Sequence, residues 1–256
     1  MTQAPLISLD GLVKRFGDGP ETLTDISLSL ARGEFLAMIG PSGCGKSTLL
    51  KLMAGLLEPT SGKLLVGGGK PADSRGKLGY VFQDANLLPW SNILDNVALP
   101  LKLAGMEDTK RAERAQAMLE LVGLGHVSEK YPRELSGGMR MRVSIARALA
   151  TEPEILLLDE PFGALDEMTR DSLNEELLRL RELQGWTGVF VTHSVSEAVF
   201  LSSRVLVLSA NPGRVHDLID IDLAFPRTAS TRADIRFHEQ VADVTRRLHS
   251  VMSEVH

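Results

Sequence analysis

A single glycine-rich stretch, residues 40–47, constrains this chain more than any other part of its sequence. It has the sequence GPSGCGKS and fills every fixed position of the pattern G-x-x-x-x-G-K-[ST]. An apolar run at residues 34–39 precedes it and is typical of a buried parallel strand, and residues 48–54 follow with helical spacing. A glycine loop that binds phosphate groups lies between a strand and a helix, in this order. The stretch therefore predicts a nucleoside triphosphate site.

The chemistry of this loop follows from its residue types. Glycines let the backbone approach phosphate oxygens, and the N–H groups at the helix start face the anion. We expect Lys46 to reach the β- and γ-phosphates and the Ser47 hydroxyl to ligate Mg²⁺. The candidate nucleotide contacts are Gly40, Pro41, Ser42, Gly43, Cys44, Gly45, Lys46, Ser47 and Thr48.

Composition narrows the class of protein. A chain of 256 residues that is 43% hydrophobic can bury a full core, as one α/β domain with an embedded subdomain or as two small domains. The net charge of −5 and the lack of a long basic run argue against nucleic acid as the main partner. A single cysteine excludes an internal disulfide and fits a reducing compartment.

The sequence also lacks the patterns of membrane insertion and secretion. It contains no apolar run of about 18 residues, and its first residues lack the basic and apolar regions of a signal peptide. We therefore expect the chain to stay in the cytosol, with any membrane role coming through a partner.

Alternating apolar residues before and after the glycine loop predict β-structure. Two such runs between residues 6 and 30 flank a turn at 17–20 and indicate an antiparallel hairpin. Phe16 lies at its tip, where the ring would either stack on a base or pack in the turn. Residues 63–66 and 78–82 are predicted strands, and the second ends at Gln83.

Residues 84–150 have helical periodicity with charged faces and indicate an inserted helical subdomain. Its opening stretch, residues 86–90, is apolar and is either core or an exposed docking surface. Further on, Ser136, Gly137 and Gly138 precede a helical pattern. A serine N-cap with paired glycines makes a second helix start suited to an anion, although Ser-Gly-Gly is also a common loop sequence.

Acidic residues follow the buried strand predicted at residues 155–158. Asp159 is suited to hold Mg²⁺ through water, and Glu160 to act as a general base on an attacking water; the alternative is a solvated strand end. His193 ends the next predicted strand, 188–192, on the side that carries Gln83 and Asp159, so a phosphate contact is favoured over a structural role. A hairpin over residues 204–219 and a C-terminal amphipathic helix complete the prediction.

Taken together, these motifs resemble the ATPase subunit of ABC transporters over almost the whole chain. The motifs are the glycine loop, Gln83, residues 135–138, residues 156–161, residues 164–166 and His193. The resemblance implies an α/β fold. Its P-loop NTPase (RecA-like) core would carry an N-terminal antiparallel β subdomain and an inserted α-helical subdomain. The implied boundaries are 1–83 and 151–215 for the core, 84–150 for the helical subdomain and 216–256 for a C-terminal strand and helix.

The resemblance also implies roles for individual residues. Phe16 would stack on adenine, Gln83 would sense Mg²⁺ and the transmembrane partner, and Glu160 would be the catalytic base. His193 would contact the γ-phosphate, and Asp166 would belong to a loop that crosses a dimer interface. The implied cofactors are ATP and Mg²⁺, with Ser47, Gln83 and Asp159 as the metal-binding residues.

The partners implied by the resemblance are a second copy of the chain and a permease. In the family, each ATP lies between the glycine loop of one subunit and Ser136, Gly137 and Gly138 of the other. The stretch around residues 87–90 is similar to the surface that receives the permease, which would hold the chain at the cytoplasmic side of the bacterial membrane. One departure is that Met139 and Met141 stand where the family commonly carries glutamine.

Three further stretches, residues 81–90, 209–214 and 221–227, resemble importers of nitrate, sulfonate or taurine. In such importers an external solute-binding protein and the permease recognise the cargo, so we expect no cargo-reading residue in this chain. The alternatives are the same motor in an exporter or lipid-transfer complex, and a soluble ABC-type ATPase of DNA repair or translation. The second alternative usually carries long coiled-coil inserts or tandem cassettes, and this chain has no heptad run.

Overall fold

The computed structural model describes residues 4–253 of the chain. Its strands and helices follow one another in the order β1 (Ile7–Arg15), β2 (Glu21–Leu30), β3 (Phe35–Ile39), α1 (Lys46–Met53), β4 (Ser61–Val66), β5 (Leu78–Val81), α2 (Ile93–Leu103), α3 (Asp108–Leu121), α4 (Gly137–Leu149), β6 (Ile155–Asp159), α5 (Glu167–Gln184), β7 (Thr187–Val191), α6 (Val195–Leu201), β8 (Arg204–Leu208), β9 (Val215–Asp220), α7 (Ala229–Arg232) and α8 (Ile235–Ser253). Within residues 4–253, no helix combines the length and apolar character that crossing a bilayer requires.

The chain divides into two compact units. Unit 1 comprises Met1–Arg75 and Thr187–His256, and unit 2 comprises Gly76–Trp186. Unit 2 groups the predicted helical subdomain with β5, β6 and α5. The subdomain boundaries implied by the resemblance stay a prediction.

Unit 1 contains an antiparallel sheet in which β1 lies between β2 and β4. Ile7 of β1 pairs with Leu30 of β2 on one side and with Val66 of β4 on the other. Along β2 the buried residues alternate with exposed ones, because one face of the sheet packs on the core and the other meets solvent. The hairpin predicted between residues 6 and 30 is confirmed.

The second group of strands in unit 1 is built on β3. It pairs in parallel with β7 on one side and with β8 on the other, and β9 runs antiparallel beside β8. All residues of β3 and β7 are buried, and the continuous apolar run of β3 is typical of a parallel strand that is paired on both sides. The amphipathic tail is helix α8, which places Phe237 edge-on to Phe200 of α6 at a centroid distance of 6.4 Å.

Unit 2 pairs β5 and β6 in parallel and packs α2, α3 and α4 against one another. Helix α2 begins after Asn92, whose side-chain oxygen accepts a hydrogen bond from the N–H of Asp95. The buried Asn96 bonds to both backbone groups of Leu88 and to the carbonyl of Ser91. These bonds fix the turn before α2, in which Trp90 is 74% exposed.

Candidate functional site

The glycine loop of unit 1 joins β3 to α1, as predicted. Gly45 precedes the helix with φ of 96°, a left-handed conformation that strongly favours glycine. A Cβ atom at Gly45 would lie 2.6 Å from the side chain of Leu23, and one at Gly40 would lie 2.5 Å from the carbonyl oxygen of Leu208. The close approach of neighbouring strands therefore requires glycine at both positions.

Lys46 is only 5% exposed, and its ammonium is enclosed by the loop. Nζ donates to the carbonyl oxygens of Gly40, at 2.9 Å, and Pro41, at 3.0 Å, and lies 3.7 Å from Cys44 Sγ. The carbonyls are neutral, and burial raises the pKa of the Cys44 thiol, so the thiol is protonated at neutral pH. A buried cation among uncharged acceptors favours an anionic ligand, and phosphate suits this cradle.

One residue that supports the glycine loop was not found by sequence reasoning. Gly213, in the turn between β8 and β9, donates to the carbonyl of Thr22 at 2.9 Å and accepts from the N–H of Thr24 at 2.9 Å. A Cβ at Gly213 would lie 2.0 Å from the carbonyl oxygen of Cys44. The sequence 211–213 signals a turn, but it carries no sign that this turn packs on the glycine loop.

His193 and the glycine loop follow two neighbouring parallel strands of unit 1, β7 and β3, at the same end of those strands. Val191 of β7 pairs with Met38 of β3, so His193 and Gly40 each follow that pair by two residues. The N–H of Thr192 donates to the carbonyl of Met38 at 3.3 Å. His193 itself is exposed, as a ligand-contacting side chain at this end of the strands would be.

Phe16 lies in the turn between β1 and β2 and is 49% exposed. The ammonium of Lys14 lies 4.9 Å from the ring centroid, within the range of a cation–π contact. The exposed part of the ring is accessible to a ligand at the tip of the hairpin. Its role in stacking on adenine stays a prediction.

In unit 2, Asp159 is the last residue of β6 and is buried. Tyr80 of β5 donates its hydroxyl to Asp159 Oδ2 at 3.2 Å. Burial, reinforced by the negative charge of Asp159, raises the pKa of Tyr80, so the phenol remains a donor at neutral pH. Sequence reasoning missed Tyr80, because only the register of β5 and β6 brings it to Asp159.

Glu160 and Gln83 follow the same two strands of unit 2. Val81 pairs with Leu158, so Gln83 and Glu160 each come two residues after that pair. Glu160 has φ of 48°, an uncommon backbone conformation for a non-glycine residue. Such strained positions concentrate at functional sites, and Glu160 is the residue predicted to act as the base.

The second glycine motif of the chain, residues 136–138, lies in unit 2 at the start of α4. Ser136 Oγ accepts a hydrogen bond from the N–H of Met139 at 3.2 Å, which confirms the predicted N-cap. The side chain of Met141 is buried in the core.

Asp166 caps α5 by accepting from the N–H of Thr169 at 3.0 Å, and this hydrogen bond lowers the pKa of the Asp166 carboxyl. The predicted place of Asp166 in a dimer interface stays a prediction.

Comparison with known proteins agrees with these features. The family model described as "ABC transporter" matches residues 23–163. An aliphatic sulfonates import ATP-binding protein, SsuB, of Bacillus cereus is 42% identical over 89% of this chain and 90% of its own length. This chain belongs to the ABC transporter ATP-binding family. It is an ATP-hydrolysing transporter subunit.

Solved structures confirm the P-loop NTPase fold class. The ATP-binding cassette MJ0796, in a dimeric post-hydrolysis state bound to ADP and Pi, has a TM-score of 0.76 and 34% identity, covering 85% of this chain and 100% of its own. The cbiO1 protein of Clostridium perfringens, part of the ABC transporter complex cbiONQ, has a TM-score of 0.80 and 26% identity, covering 98% of this chain and 100% of its own.

Proposed function

We propose that this chain binds and hydrolyses ATP to power the import of a small solute through an ABC transporter. The observation that carries the proposal is the glycine loop with the buried Lys46 ammonium at its centre. Lys46 would bind the β- and γ-phosphates, while the backbone N–H groups at the start of α1 would bind the same anion.

Mg²⁺ would be held by oxygen donors from Ser47, Gln83 and Asp159. Hydroxyl, amide and carboxylate oxygens are the ligands that this ion prefers. Mg²⁺, when bound, neutralises charge on the phosphate oxygens. Tyr80 already holds one oxygen of Asp159, and so fixes the orientation of that carboxylate.

Glu160 would accept a proton from the attacking water and orient it towards the γ-phosphate. A carboxylate base of this kind contributes through correct placement, and the left-handed backbone at Glu160 aims its side chain differently from an extended strand end. His193 would donate to the γ-phosphate, and Phe16 would stack on the adenine ring.

The working unit would be a homodimer in which Ser136, Gly137, Gly138 and Asp166 face ATP bound by the other copy. The dimeric state of MJ0796, and its bound ADP and Pi, support this proposal.

A permease would dock on the turn before α2, where Trp90 is exposed, and would hold the chain at the cytoplasmic face of the membrane. That cbiO1 is part of a transporter complex is consistent with such a partner.

The proposed cargo class is nitrate, sulfonate, taurine or a related small solute. The similarity to SsuB of Bacillus cereus supports a sulfonate-type solute. A solute-binding protein outside the cell would deliver the cargo to the permease. ATPase activity measured in a complex with the permease should rise when the loaded binding protein of the correct solute is added, and no rise with any of these solutes would contradict the cargo class.

The hydrolytic role is tested by Glu160→Gln, with Glu167→Gln as the control. Both residues are glutamates of unit 2, and Glu167 is exposed in the first turn of α5. Because the amide cannot accept the proton, we expect Glu160→Gln to lower steady-state ATP hydrolysis by about 100-fold or more while ATP binding persists. Hydrolysis at the parent rate would exclude Glu160 as the base.

A further inference from the structure

A closed set of hydrogen bonds surrounds His193 in unit 1. The Thr192 hydroxyl donates to Oε2 of Glu197, and the N–H of Ser194 donates to the Thr192 hydroxyl oxygen at 3.0 Å. The N–H of Glu197 then donates to the hydroxyl oxygen of Ser194 at 3.3 Å. We call Thr192, Ser194 and Glu197 the 192–197 clasp. It links the end of β7 to the first turn of α6 and spans His193.

Because Thr192 and Glu197 are buried, losing a hydrogen bond of the clasp would leave a buried polar group without that bond and would destabilise the fold. Thr192 is 4% exposed and Glu197 is 6% exposed, whereas His193 between them is exposed. A buried carboxylate loses the hydration it would have in water, and this loss is offset only by hydrogen bonds such as that from Thr192. The clasp therefore holds the backbone on both sides of His193 in one arrangement.

The same arrangement is tied to the strand that leads into the glycine loop. The N–H of Thr192 donates to the carbonyl of Met38 in β3, and Gly40 follows Met38 by two residues. On the other side, the N–H of Ala198 donates to the carbonyl of Ser194 and continues the clasp into α6. The backbone of His193 is thus fixed with respect to the strand that carries the phosphate-binding loop.

We propose that Thr192 and Glu197 are positioning residues for ATP hydrolysis, which act by holding His193 where it meets the γ-phosphate. This inference rests on the proposed contact between His193 and the γ-phosphate. Neither residue needs to touch the nucleotide. Their loss would misplace a group that interacts with the γ-phosphate in the transition state, and so would lower kcat more than it changes KM.

The test compares two substitutions at Thr192. Thr192→Val has nearly the same shape but no hydroxyl, so it leaves the N–H of Ser194 and the carboxylate of Glu197 without that partner. Thr192→Ser retains the hydroxyl. In the full-length chain, we expect Thr192→Val to lower kcat by about tenfold with the KM for ATP within about twofold of the parent. Thr192→Ser should restore kcat to within about twofold of the parent.

A second comparison covers the case in which Thr192→Val does not fold, as judged by thermal unfolding. Glu197→Gln retains a side-chain oxygen for the Thr192 hydroxyl, whereas Glu197→Leu does not. We expect kcat to fall by about tenfold in Glu197→Leu and by less than about threefold in Glu197→Gln. Equal kcat values in these two variants would overturn the proposal.

The His193→Ala background separates this inference from the proposed function. If the clasp acts through His193, adding Thr192→Val, or Glu197→Leu where the former does not fold, to His193→Ala lowers kcat no further. An additional tenfold loss in that background, or parent-like kcat in the folded single variant, would overturn the positioning role. Parent-like kcat in His193→Ala itself would contradict the proposed contact of His193, which is a different failure.

Discussion

Two helix starts in this chain carry glycine and serine, but they are built differently. At the start of α1, Gly45 is left-handed and gives the helix no side-chain hydrogen bond, and Lys46 beside it is buried. At the start of α4, the hydroxyl of Ser136 already accepts from a backbone N–H, and Ser136 is exposed. The first start therefore has its lysine buried in the loop, whereas the second has its serine at the surface.

In the proposed dimer, this difference would let the two motifs complement each other. In the proposed function, the loop before α1 binds a phosphate group with Lys46 and the N–H groups at the helix start, all from one copy of the chain. The start of α4 presents its remaining N–H groups to whatever lies against the surface. In our account that neighbour is ATP held by a second copy.

The largest expected effect is on the α1 side. Lys46→Ala removes the buried ammonium, and we expect ATP affinity to fall by at least about 100-fold, or about 2.8 kcal/mol. Lys51→Ala is the matched control, because Lys51 lies in the same helix but is exposed. Isothermal titration calorimetry measures both. Unchanged affinity in Lys46→Ala would contradict the assignment of the loop.

A smaller effect is expected from the support under the loop. Gly213→Ala would place a Cβ only 2.0 Å from the carbonyl oxygen of Cys44, so the loop or the β8–β9 turn must shift. We expect a loss of about 1–3 kcal/mol in unfolding free energy, together with weaker ATP binding. Gly76→Ala is the control, because a Cβ there meets nothing within 4 Å. If thermal unfolding and ATP affinity are the same in both variants, the packing of Gly213 does not shape the loop.

The smallest effect concerns Asp159. Tyr80→Phe removes the hydrogen bond to its carboxylate, so we expect a loss of about 1 kcal/mol in unfolding free energy and a higher Mg²⁺ concentration for half-maximal hydrolysis. The chain has one other tyrosine, Tyr131, which is exposed, and Tyr131→Phe should change neither quantity. A Mg²⁺ requirement unaffected by Tyr80→Phe would show that this bond does not orient Asp159 for the metal.

The parts of the fold that sequence reasoning predicted are those specified locally. The order β3, loop, α1 follows from a run of apolar residues, a glycine pattern and helical spacing, all within adjacent residues. The cap at Ser136 is likewise local, because its partner is three residues away. The hairpin β1–β2 follows from alternating apolar residues and the turn at residues 17–20, and the tail helix α8 follows from helical periodicity.

The contacts that sequence reasoning missed join residues distant in the chain or depend on a precise side-chain arrangement. Tyr80 and Asp159 are 79 positions apart and meet only because β5 and β6 pair in one register. Gly213 meets Cys44 because the β8–β9 turn folds over the loop. Thr192 and Glu197 are close in sequence, but nothing in the residue pattern shows that both are buried and bonded.

The claim that a second copy completes the site is tested most directly at Ser136. Asp and Asn both cap helices well, so Ser136→Asp and Ser136→Asn should preserve the start of α4 and differ mainly in charge. A carboxylate at this position would repel the γ-phosphate of an ATP bound by the other copy.

The measurement is sedimentation velocity with ATP and Mg²⁺, using chains that also carry Glu160→Gln so that the nucleotide is not hydrolysed. Calorimetry on the same samples confirms that each binds ATP. Our account predicts that Glu160→Gln and its combination with Ser136→Asn dimerise, while the combination with Ser136→Asp binds ATP but remains a monomer. Equal ATP-dependent dimerisation of the Ser136→Asp and Ser136→Asn chains would contradict a site shared between two copies.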